Sequence, residues 1–213
     1  MNAAYPNVGF IGFPLCLIVF GKDSLAPTMI ATIITVCVVF ALAIVLIEIG
    51  LQTEARPAHL AWKVARSLAK NPLLVAPALG AVFAATGLTM PDSADTFFKL
   101  LGAAASPCAL VALGLFLAEE RPVAAGDTAS SLLLTALKLG LHPAITWGLA
   151  TYVFHLAPML THIAVVLAAL PTGTGPFMLA EFYEREASVT SKTILISTIG
   201  SLVTVTAYLA LIA

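Results

Sequence analysis

The sequence is short of charge. Only 10% of its 213 residues are Asp, Glu, Lys or Arg, where a soluble domain carries about 25%. Mean hydropathy is +1.03. So little charge cannot cover a water-facing surface, which excludes a soluble enzyme and a disordered regulator. Ten Lys+Arg against eleven Asp+Glu leave a net charge of −1, so there is no basic surface to attract nucleic acid. Cys16, Cys37 and Cys108 stand singly in apolar stretches. Without a C-x-x-C pair or a Cys/His cluster there is no disulfide framework and no metal site, and these cysteines read as small packing residues. His59, His142, His155 and His162 are dispersed, and no H-E-x-x-H, aspartate pair or nucleophile–base pair accompanies them. The chain is therefore not read as an enzyme, and no cofactor is expected.

What is abundant is apolar sequence, 60% of the chain. A spanning helix takes about 20 apolar residues, which points to an all-α polytopic membrane protein. Seven segments can be drawn: about Val8 to Phe20, Pro27 to Ile47, Pro72 to Thr89, Leu100 to Ala118, Ser131 to Val153, Ile163 to Tyr183 and Thr193 to Ile212. The opening residues, Met1 to Pro6, lack the positive region of a signal peptide. If the segments alternate, Arg56, Lys63, Arg66, Lys70, Arg121, Arg185 and Lys192 share one side, and only Lys22 and Lys99 the other. The richer side belongs in the cytoplasm, which puts residue 1 inside and Ala213 outside. Between the second and third segments, Leu60, Ala61, Val64, Ala65 and Leu68 recur at helical spacing with Lys63, Arg66 and Lys70 between them. They form either an interfacial helix beside acidic headgroups or a solvated charged face.

The first and sixth segments are interrupted by Pro and Gly: Pro6, Gly9, Gly12 and Pro14 in one, Pro171, Gly173, Gly175 and Pro176 in the other. In lipid a broken helix survives only inside protein or beside a water-filled cavity, and transporters aim such breaks at a substrate. A kinked helix is the plainer alternative for either break alone. A shift of 165 positions lays Ala3-Ala4-Tyr5-Pro6 over Ala168-Ala169-Leu170-Pro171 and Asn7 over Thr172. The first segment runs outward and the sixth inward, so the two units are inverted. The expected division is residues 1–49 as the end of a first repeat, 50–71 as a cytoplasmic amphipathic linker, and 72–213 as a second five-helix repeat broken at about 163–183. On this reading three helices of the first repeat are missing ahead of residue 1.

At the two breaks the sequence resembles the auxin efflux carrier family, both its plant PIN branch and its bacterial permeases. Pro6-Asn7-Val8-Gly9-Phe10-Ile11-Gly12-Phe13-Pro14-Leu15 is similar to the family's P-N-x-x-x-x-G-x-P-L. Ala169-Leu170-Pro171-Thr172-Gly173-Thr174-Gly175-Pro176-Phe177, with Ala180 and Tyr183, resembles its A-L-P-x-G-x-x-P-F-x-x-A-x-x-Y. The resemblance implies a ten-helix carrier in which broken fourth and ninth helices cross, similar to the sodium/proton antiporter and bile-acid symporter folds. It also implies a small organic anion as substrate, auxin in plants and malate or malonate in bacteria, moved by an elevator-type swing. The short loop from Leu51 to Asn71 matches the bacterial members.

A carboxylate held in the membrane needs donors and positive potential. Asn7 offers an amide at the first break, for substrate contact or for capping a helix end. Thr172 and Thr174, with the N–H groups of Gly173 and Gly175, offer donors at the second, facing an anion or capping freed backbone. Lys138 is a basic residue inside an apolar segment. It either snorkels, neutralises helix ends at the crossover or pairs with the substrate. His142 follows at i+4 and suits either proton coupling or a structural bond. No acid lies deep in a segment, since Glu48, Glu119 and Glu181 are near ends, so a carboxylate-built proton or sodium site is not evident. The expected function is a permease for a small organic anion, in the lipid bilayer, as monomer or homodimer. A channel or a non-transporting remnant stays open as the alternative. A rhodopsin-like receptor fits less well, because the charge bias puts the N-terminus inside.

Overall fold

The computed structural model describes residues 1–51, 57–119 and 126–212. Among them the regular structure is helical, in nine elements. These are α1 (Val8–Phe20), α2 (Lys22–Gly50), α3 (Pro57–Lys70), α4 (Pro72–Ala85), α5 (Asp92–Ala118), α6 (Asp127–Val153), α7 (Pro158–Ala169), α8 (Thr174–Phe182) and α9 (Ala187–Ile212). Four of them, α2, α5, α6 and α9, are long and apolar enough to cross a membrane, and the end of α3 meets α4 at a 70° bend. The protein is a polytopic membrane protein. Arg56, Arg121 and Ala213, on which part of the predicted orientation rests, lie outside the described residues.

The spanning helices are longer than the apolar runs that announce them. α5 begins at Asp92, not near Leu100, and α6 at Asp127, not Ser131. Asp92 and Asp95 sit in the first turn of α5, where carboxylates complement the exposed N–H groups, and Asp95 pairs with Lys99 at 2.6 Å. Hydropathy marks the part of a helix in hydrocarbon, whereas the helix itself runs on until its ends are capped. Gly21 and Gly126, at φ 76° and 98°, make the turns into α2 and α6, a backbone conformation open to glycine.

Packing divides the chain into two compact units, residues 1–32 with 111–213, and residues 33–110. α2 and α5 each pass from one unit into the other. This grouping follows contacts and differs from the division by repeat.

In the larger unit the usual polarity is turned outward. Ile18, Leu202, Val203 and Leu211 are 81, 70, 71 and 84% exposed, as lipid-facing residues would be, while the interior holds hydroxyls. On α9 the buried stripe is Thr190, Thr193, Ile194, Ser197, Ser201 and Val205, at the three- and four-residue spacing of one helix face. α9 packs along α6, and the Ser131 hydroxyl bridges the two helices by donating to the Val189 carbonyl at 3.1 Å. Small and hydroxyl-bearing residues are what helices use to approach one another in lipid. A core of Val8, Cys16, Ile163, Val166, Leu167 and Leu170 joins α1 to α7.

Gly9, Gly12 and Pro14 do not break the first segment, contrary to the sequence expectation, for α1 is continuous through them. A wide π-type turn, Val8–Gly12, opens the helix, so Pro14 falls at the second position of its regular part, where a missing N–H is tolerated. Gly175 and Pro176 likewise lie inside α8, in its first turn, where N–H groups have no helical partner. The interruptions are confined to the residues just before α1 and to Leu170–Gly173.

In the smaller unit α3 packs on the end of α2, where the Ser67 hydroxyl donates to Glu48 Oε1 at 2.8 Å. Glu48 is only 4% exposed, so this polar contact is part of how the unit closes.

Gly12 lets α1 lie close on α7. A Cβ there would stand 3.0 Å from Leu167 Cδ2 and 3.3 Å from Leu170 Cδ1. Gly12→Leu is expected to cost about 1–3 kcal/mol through overpacking, seen as a lower melting temperature in detergent. Gly140→Ala, with open space around its Cβ, should melt like the parent. Equal melting of Gly12→Leu and the parent would remove the close contact.

Candidate functional site

α1 begins, and α7 gives way to α8, where two extended stretches cross. They run antiparallel and bridge at Pro6 and Thr172. The Asn7 N–H donates to the Pro171 carbonyl at 3.0 Å, and the Gly173 N–H to the Tyr5 carbonyl at 2.9 Å. Proline accounts for the local geometry. A residue before proline is pushed out of the helical region, and Leu170 stands at φ −57°, ψ 153°, which ends α7. Proline also brings no N–H that would need a partner. Each stretch thus pairs backbone groups that the other has freed.

The crossing is held from the side by hydroxyls. The Thr172 N–H donates to Ser197 Oγ at 3.1 Å and its hydroxyl to the Asn2 carbonyl at 2.8 Å. Asn2 Nδ2 in turn donates to Thr190 Oγ1 at 3.2 Å. Two glycines are required by closeness. A Cβ on Gly173 would meet the Pro6 carbonyl oxygen at 3.0 Å and Asn7 Cα at 3.1 Å; one on Gly175 would meet Tyr5 Cζ at 2.5 Å.

Three helix ends converge here, and each has its own chemistry. α7 ends at Ala169 with carbonyls directed onward, and Lys138 Nζ, on α6, donates to the Ala168 carbonyl at 2.5 Å. Lys138 has no exposed surface. It sits in a π-type turn, Leu137–Leu141, and its Nζ lies 3.2 Å from His142 Nδ1. A basic group at a helix C-terminus opposes the partial negative charge of the unpaired carbonyls. α1 and α8 instead begin at the crossing and present N–H groups. Thr174 and Gly175, both buried, open α8, and among the described residues their N–H groups have no partner. Asn7 is 5% exposed, and its side chain makes no capping bond to α1.

The structure therefore brings Pro6, Asn7, Pro171, Thr172 and Gly173 into one crossing, with Thr174 and Gly175 beginning the helix beyond it and Lys138 and His142 behind it at Ala168. Gly9, Gly12 and Pro14 lie along α1, away from the break. Sequence reasoning missed Asn2, Tyr5, Thr190 and Ser197. Tyr5 and Asn2 act largely through backbone oxygens, which leave no mark in a sequence. Thr190 and Ser197 had a signal, the hydroxyl residues at helical spacing within an apolar span.

A family model described as "Membrane transport protein" matches residues 1–209. The chain is 31% identical over 209 residues to the "Putative malonate transporter" of Rhizobium meliloti (strain 1021), covering 98% of this chain and 65% of that protein. It is 30% identical to "Auxin efflux carrier component 8" of Arabidopsis thaliana over 152 residues, 70% of this chain and 40% of that protein. The "Uncharacterized transporter YfdV" of Escherichia coli (strain K12) is 27% identical over 208 residues, 95% of this chain and 63% of that protein. The chain thus spans less than two thirds of the length of each.

Removing the Lys138 amine should leave the Ala168 carbonyl buried without that donor. Lys138→Met is expected to lower stability by about 1–3 kcal/mol, read from melting in detergent. A melt unchanged from the parent would mean that the bond contributes nothing.

Proposed function

The chain belongs to the membrane transport protein family, and from that premise we propose that it carries a small organic anion by alternating access around the crossing. Malonate, malate or an auxin-like carboxylate are the substrates in view. The observation that supports an anion is the set of buried N–H groups of Thr174 and Gly175, which have no partner among the described residues. A buried donor left unpaired costs about 1–3 kcal/mol, and a carboxylate at a helix N-terminus offsets that cost. Asn7 lies across the same crossing, with its amide uncommitted to the helix it precedes.

Lys138 is assigned a supporting role. Its bond to Ala168 turns it toward the helix end, where its positive potential favours an anion without direct contact. His142, beside it, is the candidate for coupling transport to protons. The names of the relatives, a malonate transporter and an auxin efflux carrier, agree with a carboxylate substrate.

A thermal-shift panel of malonate, malate, succinate, indole acetate and a neutral amide tests this reading. The cognate acid at about 100 times its Kd should stabilise the protein by about 2.7 kcal/mol, and the amide should leave it unchanged. Asn7→Ala should fold in the parent's amount and bind the acid about tenfold to a hundredfold more weakly, the worth of a hydrogen bond to a charged group. Wild-type affinity in that variant would remove Asn7 from the site. A flat panel over a cooperative melt would count against all of these acids.

We further assign the basic-rich loops to the cytoplasm of a bacterial inner membrane. A phosphatase reporter fused after Ala213 should then be active in the periplasm, and activity confined to fusions in the 51–71 loop would reverse the orientation.

A further inference from the structure

The smaller unit carries a surface that transport does not explain. α3 holds no acidic residue from Pro57 to Lys70. One side of it faces α2, with Val64, Ser67 and Leu68 partly covered and Ser67 fixed to the buried Glu48. The other side is open. Trp62 is 68% exposed, and Ala61, Ala65, Arg66, Ala69 and Lys70 are exposed with it. Trp62, Arg66 and Lys70 follow one another at four-residue spacing, so they neighbour one another along the helix.

The end of α3 is bent by 70° from α4. With α4 along the bilayer normal, α3 lies close to the membrane plane, at the level of the headgroups. An indole ring is at home there, half in hydrocarbon and half in water. Basic side chains at that level attract anionic lipid, by about fivefold for each Lys or Arg near the surface. A soluble protein partner would call for mixed charge or a larger apolar face, whereas an exposed indole and two bases with no acid complement an anionic lipid surface.

We propose that α3 is an interfacial helix that gathers anionic phospholipid, with the Trp62 ring at the headgroup boundary and Arg66 and Lys70 on the phosphates. The Glu48–Ser67 bond holds the helix so that this side faces the lipid. The assignment is independent of the crossing and of any substrate.

The chain has two tryptophans, so Trp147→Phe leaves Trp62 as the only indole reporter. The full chain carrying this change would be reconstituted in mixed phosphatidylcholine and phosphatidylglycerol vesicles, with brominated acyl chains on one lipid or on the other. Trp62 should be quenched by both, and about twofold more by brominated phosphatidylglycerol at equal mole fraction. Raised salt should shrink that preference. The pair Arg66→Gln and Lys70→Gln should abolish the preference while quenching by both lipids remains, which shows that the helix is still in place. Equal quenching by the two lipids in the parent would overturn the anionic preference. Quenching by aqueous iodide in place of bromine would overturn the interfacial placement and leave the face to water or to a protein.

Discussion

A peptide group in a bilayer has no water to turn to. Where a helix is interrupted there, the freed N–H and C=O groups must find partners within the protein. At the crossing two interruptions meet this need together, as Asn7 pairs with Pro171 and Gly173 with Tyr5. Much of the larger unit follows from keeping these stretches in register. Gly173 lacks a side chain because the opposing backbone is too near, and Gly175 because the Tyr5 ring occupies that space. Gly12 brings α1 onto α7, and Ser197 and Asn2 take up the remaining groups of Thr172. None of these residues would be needed if α1 and α7 were whole spans.

The same constraint explains where the polar residues are. Apolar side chains gain little by turning inward when lipid is as apolar as the interior, so many large ones face out, while hydroxyls share the interior with the core around Ile163 and Leu170. Several of those hydroxyls donate back to the helix that bears them, Thr193 to the Val189 carbonyl and Ser201 to the Thr198 carbonyl among them. Lys138 is the costly exception. A basic group buried in this setting is held by what surrounds it, here the carbonyl end of α7, while the N–H ends of α1 and α8 stand on the other side of the break. The break thus has a basic group at the carbonyl end of α7 and N–H groups at the start of α8.

Much of this was legible in the sequence, but unevenly. Four of the seven segments drawn, now α2, α5, α6 and α9, were visible as spans because apolar runs of that length have few other uses, whereas those at 8–20 and 163–183 are shorter helices. The family was visible because Pro6-Asn7 and Pro171-Thr172-Gly173 sit in recognisable strings. The limits of the breaks were misjudged because every Pro and Gly was given equal weight. Pro14 and Pro176 occupy early helical positions where their chemistry is harmless, whereas Pro6 and Pro171 lie at the crossing itself. Helix ends such as Asp92 were placed too late because hydropathy falls off before the hydrogen-bond ladder does. The grouping of 1–32 with 111–213 was hidden for another reason: it is a matter of which distant segments touch. The oxygens of Asn2 and Tyr5 belong to that class as well.

Distance along the chain also has a consequence for biosynthesis. The bond from Thr172 to Asn2 joins residues 170 apart, and that from Asn2 to Thr190 residues 188 apart. At about 5–20 residues per second of translation, Asn2, Tyr5 and Asn7 leave the ribosome some tens of seconds or less before their partners exist. During that interval α1 cannot rest in the bilayer with its first turn bare. It has to wait at the insertion machinery, at the water interface or against another helix. The crossing therefore cannot close before Pro171 to Gly173 are made, and pausing by the ribosome between Asn7 and Pro171 prolongs the exposure of Asn2, Tyr5 and Asn7.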